Sequence, residues 1–316
     1  MKTKDNQEQF QSIGSGLLVR APAKINLSLL IAGQRDDGFH EVETIMAKVN
    51  LYDEVFIQPG EKAGIELVCT GPYWAPEGNE NLVYKACELF LASCGLWADI
   101  RITLTKNIPA GAGLGSASSD AAATLLGLNR FLSLSCEAPY EKGGLRLVVK
   151  DRQLRKLAGR LGSDVAFFLD GPLALCTGRG EKIRKLKENF DFSALLLLPS
   201  VSVSTKKVYA NYQYDRANFE KLSAQINNLL GKNRIDLVWK MCANMLEKSC
   251  FSLYKELAEL KRDTESLGIG PVCLSGSGSA MFTIIENNDI ERGRQNKSKL
   301  ERIIGCKSVI VRNNRW

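Results

Sequence analysis

The stretch Ile108–Thr124, IPAGAGLGSASSDAAAT, guides the interpretation of the whole chain. Its first half alternates glycine with other small residues, so the backbone can approach a ligand closely and adopt φ > 0 at little cost. Its second half places helix-starting residues at 116–120 before an alanine-rich run. Alternating apolar residues at 100–104 predict a strand upstream. The stretch therefore predicts a strand, a glycine-rich loop and a helix, in that order.

A loop of this kind at a helix start is suited to binding phosphate, because free backbone N–H groups and the helix dipole both favour an anion. The loop is not a Walker A loop, since Gly115 is followed by Ser116 and Ala117 instead of Lys-Ser/Thr. It also lacks the third glycine of a dinucleotide-binding loop. On the loop alone, a phosphate site and a tight turn that packs a helix on a sheet are both open.

The composition is that of a globular protein of one large or two ordinary domains, with 316 residues and a formal charge of +7. No apolar run approaches the roughly 20 residues that cross a bilayer. The polar segment 1–16 lacks the apolar core of a signal peptide, so we expect a flexible leader. The nine cysteines include no C-x-x-C pair, which favours buried thiols in a cytoplasmic protein over a disulfide framework or a zinc site. His40 is the only histidine, which excludes a metal site built on histidines.

Two polar residues lie on one face of a predicted strand. Lys24 and Asn26 alternate with apolar Ile25 and Leu27, so both point to the same side. This pattern fits an exposed sheet face, and it also fits a cation and an amide that point into a cleft.

Three further residues stand out near predicted turns. Phe39 and His40 follow the turn signal Asp37-Gly38; they could be core residues or a pair that contacts a ligand. Asp164 lies between Gly162-Ser163 and an apolar run. Its side chain could cap a helix, or it could act as a base or metal ligand.

Strands and helices are mixed without strict βαβ alternation, which predicts an α+β fold. Pro22 is predicted to separate two strands, at 17–19 and 25–31, and a domain boundary is predicted at 178/179. Pro139, Gly143 and Gly144 mark 133–150 as an insertion.

Three motifs, in this order, resemble those of the GHMP kinase superfamily. They are Pro22-Ala23-Lys24, the loop Pro109–Ser119 and the small-residue loop Leu274–Gly278. The resemblance extends over nearly all of the chain beyond residue 17. It implies a two-domain fold, with an N-terminal domain (17–178) like that of a small-subunit ribosomal protein and a ferredoxin-like C-terminal domain (179–316). The active site would lie in the cleft between them.

Within the superfamily, three stretches resemble the branch that acts on a cytidine-diphosphate-linked methylerythritol in the non-mevalonate isoprenoid pathway. They are APAKINLSL (Ala21–Leu29), DGFHEVET (Asp37–Thr44) and LGSDVAFF (Leu161–Phe168). The resemblance implies that ATP phosphorylates the tertiary 2-hydroxyl of this small-molecule substrate, with Mg²⁺ bridging the ATP phosphates. No nucleic-acid, membrane or obligatory protein partner is expected from the sequence.

The resemblance also assigns roles to residues. Asp164 would be the general base, with Lys24 between it and the hydroxyl, and Asn26 would position the substrate. Phe39 and Tyr209 would sandwich the cytosine, His40 would bind its edge, and Thr205 would lie nearby. Asn81 would lie near the adenine and Ser119 near magnesium. The residues that would wrap the ATP phosphates are Pro109, Ala110, Gly111, Ala112, Gly113, Leu114, Gly115, Ser116, Ala117, Ser118 and Ser119. The residues that would close over them from the second domain are Gly276, Ser277 and Gly278.

The chain departs from the family pattern at a few positions. Ala166 replaces a proline, Ala112 and Ala117 replace glycines, and Tyr209 replaces a phenylalanine. Three alternatives remain: another small-molecule kinase of the superfamily, related to mevalonate or homoserine kinase; a non-catalytic regulator with the same fold; and a nucleic-acid-binding protein. The presence of both Lys24 and Asp164 argues against the regulator. No run of aromatic residues interleaved with Lys and Arg supports the nucleic-acid-binding protein.

Overall fold

The computed structural model describes residues 8–135, 149–186 and 190–316. Two β-sheets organise this part of the chain, each covered by helices, as expected for an α+β fold. The strands of the first sheet are β1 (Phe10–Ile13), β2 (Gly16–Gln34), β3 (His40–Pro59), β4 (Ile65–Thr70), β5 (Ile100–Thr105), β6 (Leu173–Gly178) and β7 (Lys182–Lys185). The strands of the second sheet are β8 (Ser193–Leu197), β9 (Cys273–Leu274), β10 (Met281–Ile285) and β11 (Ser308–Arg312).

The first sheet has the order β1-β2-β3-β5-β4, and β6 joins it by pairing with both β3 and β7. The second has the order β11-β8-β10-β9. The pairings are antiparallel except between β4 and β5. The helices are α1 (Leu82–Cys94), α2 (Ser116–Ser135), α3 (Asp151–Leu161), α4 (Val165–Phe168), α5 (Thr205–Ala210), α6 (Arg216–Gly231), α7 (Glu247–Leu253), α8 (Lys255–Ser266) and α9 (Ile290–Lys299). Short 3₁₀ turns lie at Gly78–Glu80, Ile235–Leu237, Trp239–Met241 and Glu286–Asn288, and one π-helical turn lies at Leu300–Ile304.

Strands β2 and β3 are the long elements of the molecule and serve both hydrophobic cores. Before Pro22, Val19 and Ala21 pack in a core with α1 and α2. After it, the apolar residues of β2 from Ala23 to Ile31 pack in a core with β8 and β10. The strands β2 and β3 therefore run continuously through both domains.

The predicted strand break at Pro22 is wrong, because β2 runs unbroken from Gly16 to Gln34. Pro22 instead marks a shift in the β2–β3 register, between Pro22 and Ala23. A proline has no N–H to donate to a ladder, and it is tolerated at such an irregularity. The local signal was correct, but it indicates a bulge and not a strand end.

The predicted flexible leader is wrong for residues 10–16. Phe10–Ile13 form β1, which pairs with β2 through a hairpin that turns at Gly14 and Ser15. The Phe10 ring lies 4.8 Å from the guanidinium carbon of Arg130 and packs against the N-terminal core. This contact accounts for order in a segment whose composition is polar. Residues 1–7 lie outside the described residues.

The predicted domain boundary at 178/179 cuts between β6 and β7, which pair as a hairpin. The first sheet therefore continues to Lys185, and the second begins at Ser193. We place the boundary between these two residues. Of the predicted insertion at 133–150, residues 136–148 lie outside the described residues. Among the helices that are described, none combines the length and apolarity needed to cross a membrane.

Candidate active site

The glycine-rich loop connects β5 to α2, as the sequence predicts. Gly111, Gly113 and Gly115 all have positive φ, at 67°, 75° and 71°. The loop is held from both sides, because the Lys24 N–H donates to Leu114 O at 2.9 Å and the Ala280 N–H donates to Ala112 O at 3.0 Å. The first N–H groups of α2 have no partner within the helix, as at any helix start. The loop and helix start therefore form a frame of backbone donors.

A buried ionic cluster that sequence analysis missed lies beneath this helix start. The amine of Lys106 is hydrogen-bonded to Asp53, Ser116 and Asp120, and all four residues are buried. Asp53 also accepts from the backbone N–H groups of Asn107 at 2.5 Å and Ile108 at 2.8 Å. The cluster thus ties the strand before the loop to the helix after it. Burial raises the pKa of Asp120 well above its usual range, while Lys106 opposes the shift.

Lys24 and Asn26 point into the cleft, and the exposed-face alternative is wrong because both side chains are buried. Lys24 Nζ donates to Asn26 Oδ1 at 2.6 Å and to the carbonyl of Gly113 at 2.8 Å. Asn26 in turn donates to Thr44 Oγ1 at 2.8 Å. Burial lowers the pKa of Lys24, and the nearby carboxylate of Asp164 opposes that shift. The amine is thus fixed between the glycine loop and the cleft.

Asp164 lies directly before α4, with its Oδ2 at 3.9 Å from Lys24 Nζ. Its side chain is 36% exposed, whereas that of Lys24 is 5% exposed. The carboxylate accepts no capping hydrogen bond from α4, so the structure does not support the capping alternative. Asp164 lines the cleft, where its partly exposed carboxylate faces the Lys24 amine.

The loop of the second domain contacts the glycine loop directly. Ser275 Oγ donates to Gly113 O at 3.0 Å, and a Cβ added to Gly276 would lie 3.4 Å from Lys24 Nζ. Thr205 and Ser277 join the start of α5 to this loop through hydroxyls 2.8 Å apart. Asn244, which sequence analysis did not select, holds the loop by donating to the carbonyls of Leu274 and Gly276.

Aromatic side chains gather at the other end of the cleft. The rings of His40 and Tyr209 lie 5.0 Å apart between centroids, tilted by 46°. The ring of Tyr212 meets His40 edge-on at 6.1 Å. Phe39, 51% exposed, faces the guanidinium of Arg179 at 4.8 Å. Burial lowers the pKa of His40, so the imidazole is neutral at neutral pH and offers one donor and one acceptor.

One cleft of about 910 Å³ brings most of the predicted site residues together. The predicted residues that line it are Lys24, Asn26, Phe39, His40, Pro109, Gly111, Ala112, Gly113, Leu114, Gly115, Ser116, Ala117, Ser118, Asp164, Thr205, Tyr209, Gly276 and Ser277. Four predicted residues are not among its lining: Asn81, Ala110, Ser119 and Gly278. The Asn81 amide is engaged at the start of α1, where it accepts from Val83 N–H at 2.9 Å and donates to Pro76 O at 2.7 Å.

The charge of the cleft is unbalanced. Of its described lining residues, Lys24, Arg179 and Lys206 are cationic, and Asp164 is the one carboxylate. Arg179 lies in the turn between β6 and β7, and sequence analysis did not select it. A cleft with this excess of positive charge favours a polyanionic ligand.

Few side chains of the described residues could coordinate a metal ion. The described ranges contain no group of three or more His, Cys, Asp or Glu side chains that could hold one. Ser119 Oγ is buried without a hydrogen-bond partner among the described residues, and Ser119 does not line the cleft. Mg²⁺ usually keeps several waters and takes its other oxygens from substrate phosphates, so it does not need a protein cage.

The chain is similar to known kinases over most of its length. The family description "GHMP kinases N terminal domain" matches residues 81–172, and "GHMP kinases C terminal" matches 226–303. A 4-diphosphocytidyl-2-C-methyl-D-erythritol kinase from Geobacillus sp. (strain WCH70) is 35% identical over 272 residues, 86% of this chain and 89% of the relative.

Solved structures give the same picture. One of a 4-(cytidine 5'-diphospho)-2C-methyl-D-erythritol kinase has a TM-score of 0.71 and 31% identity, covering 95% of this chain and 100% of its own. A homoserine kinase from Cytophaga hutchinsonii has a TM-score of 0.70 at 20% identity, covering 98% of each chain. The second likeness concerns the fold alone.

Proposed function

Because the chain belongs to the 4-diphosphocytidyl-2-C-methyl-D-erythritol kinases, a branch of the GHMP kinases, we propose that its cleft transfers the γ-phosphoryl group of ATP to the 2-hydroxyl of that alcohol. The hydroxyl oxygen forms the new bond to the γ-phosphorus, and the bond from phosphorus to the β–γ bridging oxygen breaks. ADP leaves with that oxygen, and the proton of the hydroxyl passes to a base. The products are ADP and the 2-phosphate.

Asp164 is the proposed base. It is the one carboxylate among the described residues that line the cleft, and it is 36% exposed. A general base must reach the proton that it removes, either directly or through one water. The absence of a capping bond to α4 leaves its oxygens available for this contact.

Lys24 is the proposed electrostatic partner of the reaction. Its amine lies between the Gly113 carbonyl and Asp164, so it can stabilise negative charge as the phosphoryl group moves. Such preorganised charge is often the largest contribution to catalysis, because it is in place before the reaction begins. Asn26 helps to fix the amine by accepting a hydrogen bond from it at 2.6 Å.

The glycine loop and the start of α2 are the proposed site for the ATP phosphates. Phosphoryl transfer requires mainly positioning and charge stabilisation, which backbone N–H groups and the helix dipole supply. Mg²⁺ is proposed to accompany ATP and to neutralise part of the phosphate charge, with Ser119 Oγ as the candidate protein oxygen near it. Asn81 is proposed to contribute to the adenine region through its place at the start of α1.

The aromatic end of the cleft is the proposed cytosine site. A neutral His40 can donate one hydrogen bond to the base edge and accept another, and cytosine presents both a donor and an acceptor there. Phe39 and Tyr209 offer ring faces for stacking. Thr205, Gly276, Ser277 and Gly278 are proposed to border the acceptor from the second domain.

The observation that carries this proposal is the 3.9 Å approach of Lys24 to Asp164, between a phosphate-type loop and an aromatic pocket. The test is a coupled assay of ADP release with the cytidylyl methylerythritol, mevalonate and homoserine as acceptors. We expect turnover with the first acceptor only. Comparable turnover with mevalonate or homoserine would assign the cleft to another GHMP kinase reaction, and no turnover with any acceptor would favour a regulator with this fold.

A thermal-shift measurement separates base recognition from catalysis. CDP should raise the melting temperature more than uridine diphosphate does, because cytosine accepts at N3 and donates from its 4-amino group, uracil has the opposite polarity at both positions, and His40 is proposed to bind the cytosine edge. Equal shifts with the two nucleotides would contradict the cytosine site while leaving the kinase reaction intact.

A further inference from the structure

A second lysine, which the reaction above does not use, lies opposite Lys24 on the neighbouring strand. Lys48 of β3 is the direct pairing partner of Lys24 of β2. Its side chain is buried, with the residue 1% exposed. A buried amine is costly unless it is hydrogen-bonded, so its partners indicate why it is there.

The partners of Lys48 lie at the far end of the segment that begins with Asp164. Lys48 Nζ donates to the carbonyl of Phe168 at 3.1 Å and to that of Asp170 at 2.6 Å. Its backbone N–H donates to Pro172 O at 2.8 Å. Phe168 is the last residue of α4, so the amine binds carbonyls at and just beyond the C-terminal end of the helix, where a cation or donor is favourable.

The Asp170 side chain fixes the same end of the segment from a different direction. Its carboxylate forms ion pairs with Arg155 of α3 and with Lys185 of β7, the latter at 2.9 Å. Burial acts to raise the pKa of Asp170, but these two cations hold it below its usual value. Asp170 thus anchors the segment through its side chain, while its carbonyl remains for Lys48.

The segment between these anchors is too short to be rigid on its own. Helix α4 is a single turn of four residues, and isolated helices of this length are not stable. Asp164 makes no capping hydrogen bond to it. The four residues of α4 pack in the N-terminal core, and the contacts of Lys48 fix its C-terminal end. The packing and these contacts together determine where Asp164 lies.

We propose that Lys48 is a positioning residue, which holds the C-terminal end of α4 so that Asp164, at its other end, faces Lys24 in the cleft. The two paired lysines thus bind opposite ends of one short segment, Lys24 near the carboxylate and Lys48 at the carbonyls. The inference rests on the proposed role of Asp164 as the base.

The test is a double-mutant cycle on steady-state kcat and KM, with Lys48→Met, Asp164→Asn and the double variant. Methionine keeps the length and the apolar stem of the side chain but removes its donors. We expect Lys48→Met to lower kcat about 10- to 100-fold, in line with the cost of a misplaced catalytic group, and to change both KM values less than about 2-fold. In the Asp164→Asn background the same substitution should lower the residual rate by less than about 2-fold, because the carboxylate that it positions is gone.

Lys255→Met, the same substitution at an exposed position of α8, is the matched control, since Lys255 neither lines the cleft nor contacts α4 in the described structure. We expect it to retain kcat within about 2-fold of the wild type. If Lys48→Met does not fold, Lys48→Leu, which also lacks a donor, takes its place in the cycle with the same expected outcomes. Fully multiplicative losses in the double variant would overturn the positioning role, and so would an unchanged kcat in Lys48→Met. Full activity in Asp164→Asn alone would instead contradict the proposed base.

Discussion

Lys24 Nζ lies 3.9 Å from Asp164 Oδ2, across the cleft between the glycine loop and α4. The first residue belongs to a buried strand and the second to the start of a one-turn helix. Their approach depends on the tertiary fold, because each is supplied by a different element. The mechanistic predictions follow from this contact.

Removal of either group should abolish turnover while ATP still binds. We expect Asp164→Asn and Lys24→Ala each to lower kcat by about 100-fold or more, the scale of a lost general base or of a lost preorganised charge. The coupled ADP-release assay measures the rate, and calorimetry measures ATP binding. Lys255→Ala, on the exposed side of α8, is the control and should behave as the wild type. Retention of more than a tenth of kcat in Asp164→Asn would contradict its role as the base.

Substitutions in the aromatic pocket should affect the acceptor more than the rate. If Phe39 and His40 bind the cytosine as proposed, Phe39→Ala and His40→Ala remove contacts made equally in the ground and transition states, so KM for the acceptor should rise more than kcat falls. Base stacking is worth roughly 1–3 kcal/mol, which corresponds to about a 5- to 150-fold loss of CDP affinity for Phe39→Ala. Calorimetry with CDP checks this. Trp97→Ala, a fully exposed aromatic at 101%, should change nothing. Unchanged CDP binding by His40→Ala would contradict the cytosine site.

The contact between the two loops should make Gly113 far less tolerant of substitution than Gly111. A Cβ at Gly113 would lie 2.1 Å from the carbonyl oxygen of Ser275, whereas at Gly111 nothing lies within 4 Å. Gly111→Ala should therefore cost only the left-handed backbone strain, about 1–2 kcal/mol. Gly113→Ala should add about 1–3 kcal/mol of overpacking and raise KM for ATP. Urea unfolding and initial-rate kinetics measure both effects; equal losses of stability would show that the loops are not in contact.

The buried cluster at the base of α2 should contribute strongly to stability. Asp53→Ala leaves the Lys106 amine with one carboxylate and removes the acceptor of two backbone N–H groups. Loss of one partner of a buried ion pair costs about 3–5 kcal/mol. Asp263→Ala, on exposed α8, should stay within about 0.5 kcal/mol of the wild type. Urea unfolding measures the free energy of unfolding of each variant. A decrease of less than about 1 kcal/mol for Asp53→Ala would contradict a stabilising cluster.

Lys48 should make stability depend on pH. Burial lowers its pKa in the folded protein to about 7, from 10.5. Between these values the unfolded chain binds a proton at Lys48 that the folded protein does not, so the free energy of unfolding rises with pH. Relative to Lys48→Met, the wild type should gain about 2 kcal/mol between pH 7 and pH 9. Urea titrations of both proteins at pH 7, 8 and 9 measure the difference. A constant difference would mean that Lys48 keeps its ordinary affinity for protons.

The features that sequence analysis could predict are local ones. The loop and α2 follow from glycines and helix formers that are adjacent in the chain. Lys24 and Asn26 could be placed on one face from their spacing alone. Whether that face is exposed or lies in a cleft depends on the packing of Gly113 and Asp164, which are distant in the chain. Only the resemblance to a family indicated a cleft.

The features that sequence analysis missed depend on contacts between distant parts of the chain. Lys106, Asp53 and Asp120 come from a strand end, another strand and a helix, and each alone is an ordinary charged residue. Arg179 lies in a turn whose approach to Phe39 requires the β3–β6 pairing. Pro22 correctly indicated an irregularity in the strand. Whether the strand ends there or only shifts register depended on β3, which pairs with β2 on both sides of Pro22.

The continuity of β2 and β3 has a consequence for how this protein can be divided. Each strand supplies side chains to both hydrophobic cores. If the chain were cut at the domain boundary, the C-terminal fragment would lack the residues of β2 and β3 that complete its hydrophobic core. Fragments separated there would have to reassemble to become compact, and neither could be exchanged for a counterpart from another kinase as an independent module.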